Sequence, residues 1–312
     1  MKGLLRSILP AGLYLFAAWP LAGAIAQGAG AERVMLEVGG IDRAAELHRP
    51  AGTWPAPQPL LIALHGRGGD GAGMRGWLGF DRVADREGFI VVYADGVDGH
   101  WNYGRPINLP MPAVNGAPVD DLAFLTRLID RLVADGAADP HRIYLVGHSN
   151  GGLMAFAAAC ALADRLAAVA VVLTGMTEHQ ASDCPPGRPV PMLVLGGTAD
   201  PLQAFDGAEA PRGRLLSVPE TAQFWRIRNE CRDRELERLP DLDREDGSTV
   251  ETVHSRDCRD GAEVLMIRVE GGGHVPPSIA HDRSPSAARL GPQNRDIETA
   301  DEVWRFLMRF RR

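Results

Sequence analysis

Residues 143–159 read Ile-Tyr-Leu-Val-Gly-His-Ser-Asn-Gly-Gly-Leu-Met-Ala-Phe-Ala-Ala-Ala. Ile143 to Val146 is an apolar strand run, and Gly152 to Ala159 is an alanine-rich helix. Between them, Gly147-His148-Ser149-Asn150-Gly151 sets a serine at the apex of a sharp turn. Small neighbours are required there, because the serine backbone is strained and a nearby Cβ would clash. Such a turn presents the Ser149 hydroxyl at the end of a sheet, beside the free amides of a helix N-terminus. With a strand before it and a helix after it, the segment reads as a nucleophile elbow rather than a glycine-rich turn with an exposed serine.

A serine nucleophile needs a base and an acid, expected further along the chain in the order serine, acid, histidine. Asp200 ends the run Val190-Pro191-Met192-Leu193-Val194-Leu195-Gly196-Gly197-Thr198-Ala199-Asp200. That places it in a loop beyond the carboxyl end of a strand, where the functional residues of open α/β sheets lie. His274 follows the strand run Val264 to Val269 and the flexible-looking Gly271-Gly272-Gly273, which lets a loop carry the imidazole back over the serine. Asp183, Asp206 and Asp241 are weaker acids because none directly follows a strand. His281 is the rival base, in a polar Asp-Arg-Ser-Pro stretch.

The loop His65-Gly66-Arg67-Gly68-Gly69-Asp70-Gly71 follows the strand run Leu60 to Leu64. It has the character of an oxyanion loop. The expected donors are the N–H of Arg67 or its neighbour and the N–H of Asn150. The same loop fits G-x-G-x-x-G, and Asp95 ends the next strand, which is most of a dinucleotide fingerprint. Against that reading, His65 stands where the strand should still be apolar. A pair of strands precedes the motif, and the chain looks exported.

Lys2, Arg6, the apolar run Ile8 to Leu21 and Ala24-Ile25-Ala26 have the pattern of an export signal over residues 1–26. Pro10, Gly12 and Pro20 interrupt the run, so no membrane anchor is expected. Residues 27–312 are expected to form one catalytic domain. The formal charge is −7, and −9 once Lys2 and Arg6 are removed, which lacks the basic excess of a nucleic-acid binder. Four cysteines in an exported chain suggest disulfides and allow three pairings. Cys160–Cys184 and Cys231–Cys258 are favoured, because each closes a short local loop.

Arg33–Val38 and Ile41–His48 flank Gly39-Gly40 as a hairpin. Strands are then expected at 60–64, 89–93, 143–146, 168–173, 190–195 and 263–269. Helices are expected near 74–87, 119–134, 151–164, 219–230 and 297–310. Alternating β and α implies a mostly parallel sheet covered on both faces. Asp95 to Pro118, with Trp101, Asn102, Tyr103, Met111 and Val114, holds no clear element and reads either as a pocket-lining loop or as a surface excursion.

Taken together, His65-Gly66, Tyr93-Ala94-Asp95-Gly96, Trp101-Asn102, Asp120-Asp121, the elbow, Gly197-Thr198-Ala199-Asp200, Gly271-Gly272-Gly273-His274, Trp225 with Cys231 and Val303-Trp304-Arg305-Phe306 carry a resemblance. The chain resembles secreted esterases grouped with polyhydroxybutyrate depolymerase catalytic domains and feruloyl esterases. The resemblance implies an α/β-hydrolase fold, with a mostly parallel sheet, an N-terminal antiparallel hairpin and helices on both faces. It also implies Ser149, Asp200 and His274 as the triad.

The chain departs from the family at two places. Arg67 stands where many relatives have cysteine, and Val275-Pro276-Pro277 where many have a Trp-Pro pair after the histidine. His65, Trp101, His148 and Val275 are the expected substrate contacts. The chain ends after the last hydrolase helix with no adsorption module, so soluble or oligomeric esters are expected over crystalline polyester. The expected chemistry is acyl transfer through Ser149, with no metal or organic cofactor, no nucleic acid and no membrane anchor. The alternatives are an extracellular polyester depolymerase, a non-catalytic binding protein on the same scaffold and, from the glycine fingerprint, a dinucleotide enzyme.

Overall fold

Unbroken apolar runs such as Leu60 to Leu64 and Ile90 to Ala94 suit strands buried on both faces, and the structure places them so. The computed structural model describes residues 32–104, 113–114, 116–209, 213–282 and 287–312. The expected export signal and Met111 lie outside these residues.

The chain opens on a hairpin of β1 (Glu32–Val38) and β2 (Ile41–His48), and then enters β3 (Gln58–Leu64). Helices α1 (Gly71–Leu78) and α2 (Phe80–Glu87) lead to β4 (Ile90–Ala94). A small ribbon, β5 (Ala113–Val114) with β6 (Ala117–Pro118), precedes α3 (Asp121–Ala134). Then come β7 (Ala138–His148), α4 (Asn150–Ala161), β8 (Ala168–Val172), α5 (Glu178–Asp183), β9 (Met192–Gly197) and α6 (Val218–Arg228). The chain closes with β10 (Asp233–Arg238), β11 (Thr249–Arg256), β12 (Val264–Glu270), α7 (Ala287–Leu290) and α8 (Thr299–Leu307).

The main sheet runs β1-β2-β4-β3-β7-β8-β9-β12-β11-β10. Its centre, β4 through β12, is parallel, with antiparallel pairs at both margins. Alternation along β3 divides the core. Leu60, Ile62 and Leu64 join the layer under α3, α4 and α6, while Leu61 and Ala63 join the layer under α1, α2 and α8. This is the mostly parallel, doubly covered sheet expected from the strand–helix alternation, in the α/β-hydrolase architecture that the resemblance implies.

Three local differences have physical causes. The expected helix 74–87 is two helices, because Gly79 adopts φ 68° and ends α1 with its N–H on the Arg75 carbonyl. The strand expected at 143–146 begins earlier, as β7. Strand β10 carries no apolar stripe, because all six of its residues are exposed and its pairing with β11 holds it.

Disulfides join Cys160 to Cys184 and Cys231 to Cys258, with Cα–Cα separations of 5.2 and 3.8 Å. The first ties the end of α4 to the end of α5; the second ties the end of α6 to the β11–β12 connection. Among the described residues, no helix is long and apolar enough to cross a membrane.

Candidate active site

Ser149 stands between β7 and α4 at φ 53°, ψ −116°, a conformation that a non-glycine residue rarely holds. Its N–H donates to the Val172 carbonyl at 2.9 Å, which pins the turn to the end of β8. The flanking glycines are required by close approach. A Cβ on Gly147 would meet the Gly151 carbonyl oxygen at 2.1 Å, and a Cβ on Gly151 would meet the Leu64 carbonyl oxygen at 2.3 Å. The elbow is therefore wedged against the end of β3, where the His65 loop begins.

Asp200 and His274 meet directly. The loop after β9 and the loop after β12 are stitched together by Ala199 N–H to the Gly272 carbonyl (2.9 Å) and Gly271 N–H to Thr198 Oγ1 (2.8 Å). The result is a 2.6 Å contact between His274 Nδ1 and Asp200 Oδ2, with both side chains almost fully buried. The other oxygen, Oδ1, accepts the N–H groups of Leu202 and Gln203, each at 2.8 Å. These two amides hold the carboxylate face that points at the imidazole.

His274 N–H in turn donates to the Leu290 carbonyl at 2.5 Å. The glycines before it serve proximity rather than flexibility. A Cβ on Gly273 would stand 2.3 Å from the Leu290 carbonyl oxygen, and one on Gly272 2.4 Å from Val269 Cγ1. Ser149, Asp200 and His274 thus follow the carboxyl ends of β7, β9 and β12, all on one edge of the parallel sheet. The rival acids Asp183, Asp206 and Asp241 are exposed on the surface, and exposed His281 sits beside Gly79.

The His65 loop lies on the serine. A Cβ on Gly66 would stand 2.9 Å from His148 Nδ1 and 3.5 Å from Ser149 Cβ. His65 Nε2 accepts the Gly96 N–H at 2.9 Å, which leaves the ring proton on Nδ1, 2.7 Å from the Gly66 carbonyl oxygen. Burial is the largest influence on this imidazole and lowers its pKa below 6.5, although the Gly66 carbonyl and Asp95, Asp70 and Asp121 pull the other way. His65 is accordingly a neutral pin for its own loop. Asn150 occupies the first position of α4, so its N–H is one that an α-helix leaves without an intrahelical partner. The Arg67 side chain points to His100, with Nε 3.1 Å from Nε2.

The remaining expected contacts divide. His148 lies 5.1 Å from His274 and 6.0 Å from Trp77, ring centre to ring centre. It lines a cavity of about 260 Å³ together with Gly66, Arg67, Met74 and Trp77. Trp101 is fully buried and Val275 2 % exposed, so neither presents a surface to a ligand. Trp101 packs under the site because its indole finds an acceptor in the His65 carbonyl at 2.9 Å.

Sequence reasoning missed Trp77, Met74 and the far wall. There Leu153, Thr177, Leu202, Gln203 and Leu215 line a second cavity of about 200 Å³ beside Asp200. The signal for Leu153 was present, since it lies one helical turn beyond Ser149. A hollow of about 420 Å³ lined by Arg238, Glu251, Arg268 and Glu270 touches none of these residues.

The dinucleotide fingerprint is spent internally: Asp95 Oδ1 accepts the Gly71 N–H at 2.7 Å, and Gly68 N–H donates to the Gly99 carbonyl. Among the described residues, no group of three His, Cys, Asp or Glu side chains is placed to hold a metal ion.

An elbow serine and a buried histidine–carboxylate pair follow strands of one carboxyl edge of this sheet, in a fold of the α/β-hydrolase class. No family model matches it. The chain is 29 % identical over 285 residues to NocK of Nocardia uniformis subsp. tsuyamanensis, named as an esterase, covering 87 % of this chain and 80 % of that one. It is 28 % identical over 228 residues to feruloyl esterase B of Piromyces equi, covering 70 % of this chain but 39 % of the relative. It is 29 % identical over 217 residues to feruloyl esterase C of Emericella nidulans, covering 65 % of this chain and 73 % of the relative. Among solved structures, an acetyl xylan esterase from Aspergillus awamori superposes with a TM-score of 0.56 at 15 % identity, over 85 % of this chain and 94 % of that one. A thermostable esterase gives the same TM-score at 16 % identity, over 90 % of this chain and 63 % of that one. The likeness of these two structures is one of fold.

These likenesses support a carboxylic ester hydrolase with the α/β-hydrolase fold, similar to the esterase and feruloyl esterases named above.

Proposed function

We propose that this chain is an exported esterase that cleaves soluble or oligomeric carboxylic esters by acyl transfer through Ser149. The observation that carries the reading is the 2.6 Å Asp200–His274 contact on the sheet edge that also holds the Ser149 elbow. In the first step, His274 Nε2 takes the Ser149 proton as Oγ attacks the ester carbonyl carbon. The oxyanion is received by the N–H of Asn150 and that of Arg67. His274 returns the proton to the departing alcohol, and the acyl group remains on Ser149. Water then attacks the acyl-enzyme with His274 again as base, and the acid leaves. Asp200 fixes the imidazole tautomer through Nδ1 and stabilises the imidazolium.

Relatives named feruloyl esterase, and the aromatic and thioether walls given by Trp77 and Met74, support an aryl or short acyl ester as substrate. Two disulfides suit an oxidising compartment.

The test is mass mapping of a fluorophosphonate adduct, run beside kcat/KM on feruloyl, acetyl and 3-hydroxybutyrate oligomer esters. Labelling at Ser149, lost in Ser149→Ala together with turnover, is the expected result. Unlabelled Ser149, or full turnover by Ser149→Ala, overturns the mechanism. Faster clearing of polyester film than of any soluble ester overturns the substrate assignment.

A further inference from the structure

The loop Asp95–Asn102 touches both halves of the oxyanion site, although none of its residues has a place in the chemistry above. Trp101 is its centre. Its indole N–H donates to the His65 carbonyl at 2.9 Å, and its backbone N–H donates to Asn150 Oδ1 at 3.0 Å. One fully buried residue is therefore bonded to the root of the His65 loop and to the residue after Ser149. The first bond fixes the strand end from which Gly66 and Arg67 project; the second fixes the first residue of α4.

The loop around Trp101 is itself immobilised. Asn102 N–H donates to Asp121 Oδ2 at 2.6 Å, and the other oxygen of Asp121 holds Arg43 at 2.6 Å with both side chains buried. The same guanidinium reaches the Asp95 carbonyl at 3.0 Å. On the opposite side Gly96 N–H donates to His65 Nε2, and Gly99 lies so close that a Cβ would meet Gly68 Cα at 2.9 Å. The loop is held at its beginning, middle and end, so Trp101 has no freedom to follow a shifted partner.

We propose that Trp101 is a positioning residue that sets the spacing between the Asn150 and Arg67 amides, and hence the width of the oxyanion site. The proposal rests on the acyl-transfer reading given above. Its physical basis is that donors stabilise an oxyanion only at about 2.7–3.1 Å from the place where the charge develops, and a misplacement of about 1 Å can cost about 10²-fold in rate. Substrate binding, made by the cavity walls, does not use these bonds. A displaced amide thus lowers kcat and leaves KM nearly unchanged, whereas a packing defect that only reduced the folded fraction would move neither constant per folded molecule.

Trp101→Phe keeps an aromatic ring and removes the indole donor. Asn150→Ala keeps the main-chain amide and removes the acceptor for Trp101 N–H, which provides a second test should the first variant fold poorly. Both are assayed on p-nitrophenyl acetate, with active sites counted by fluorophosphonate titration and melting followed by circular dichroism. The expected result is a fall in kcat of about 10-fold or more per titrated site, short of the ~10²–10³ for deleting a donor outright, with KM within about twofold. If the wild type titrates at Ser149 and both variants keep the wild-type kcat per site, Trp101 has no positioning role. If the wild type does not titrate at Ser149, the acyl-transfer reading fails and this proposal falls with it.

Discussion

Asp200 Oδ2 lies 2.6 Å from His274 Nδ1, and the carboxylate is turned to that contact by the amides of Leu202 and Gln203 on its other oxygen. An asparagine in its place can keep its carbonyl oxygen on those two amides, but then turns an NH₂ toward the imidazole. Nδ1 would have to become an acceptor, leaving the proton on Nε2, where the base function is needed. Asp200→Asn is therefore expected to fold and to lower kcat by about 10⁴-fold, the magnitude measured for that change in another triad. Burst kinetics on a p-nitrophenyl ester check it, and a variant within tenfold of wild type would assign the acid elsewhere.

The elbow glycines make a second, structural prediction. Gly151→Ala would drive a methyl group to within 2.3 Å of the Leu64 carbonyl oxygen and 2.5 Å of the His65 carbonyl oxygen, both backbone atoms. Neither can yield without moving β3 or the loop that begins at His65. We expect little soluble protein, and lost activity in what folds. Gly76→Ala is the control, since nothing outside its own stretch of α1 lies within 4 Å of its added Cβ. Equal expression and equal melting temperatures of the two variants would refute the wedge.

These two sites also mark what was legible beforehand. The elbow could be read because strain, small neighbours and a change of hydrophobic period coincide within seventeen residues of chain, 143–159. The expected order of acid and base came with the elbow motif itself, whose partners are looked for further along the chain. The Trp101 bonds could not be read. They join residues 36 and 49 positions apart, and nothing local distinguishes a pinning tryptophan from a pocket-lining one. Two adjacent aspartates open α3, and their separate roles could not be read either: Asp120 caps the helix, accepting Ala123 N–H, while Asp121 turns inward to Arg43. Strand β10 escaped for the opposite reason. Its sequence Asp-Arg-Glu-Leu-Glu-Arg has no buried face to impose a pattern.

The Arg43–Asp121 pair is buried, with side-chain exposures of 2 % and 0 %. Burial is the dominant influence on the Asp121 carboxyl and raises its pKa, with Arg43 the leading opposing influence. Removing one partner would leave a charge stranded in the core. Arg43→Met and Asp121→Leu should each cost about 3–5 kcal/mol, while the double variant recovers most of the loss. Urea unfolding of the four proteins measures the cycle. Single losses of about 0–1 kcal/mol, the size of an exposed pair, would contradict it.

Each disulfide closes a loop of similar length, spanning 24 and 27 positions. Cys160→Ser with Cys184→Ser, and Cys231→Ser with Cys258→Ser, should each lower stability by about 2–5 kcal/mol. The second pair anchors the β10–β12 margin, away from Ser149, so its loss should spare kcat. Thiol titration under denaturing conditions should find no free thiol in the wild type; four free thiols would remove the basis of the prediction.

His65 ties the loop that it opens, residues 65–71, to pH. Burial holds its pKa below 6.5, against smaller opposing influences from the Gly66 carbonyl and nearby carboxylates. A lowered histidine pKa means that, between the folded value and 6.5, the unfolded chain binds a proton that the folded chain does not. Stability therefore rises with pH across that window, is fully present above 6.5, and is lost as pH falls through it. The structural cause is specific: protonation converts Nε2 from an acceptor for Gly96 N–H into a donor facing a donor. His65→Gln can keep an oxygen acceptor toward Gly96 and cannot titrate. Its stability should be lower than that of the wild type above neutrality, and the gap should narrow as pH falls from about 8 to about 5. His254, whose pKa burial also lowers, is present in both proteins and cancels in the difference. Denaturant-derived stabilities for the two proteins across that range decide the matter, and parallel curves would show that His65 does not carry the titration.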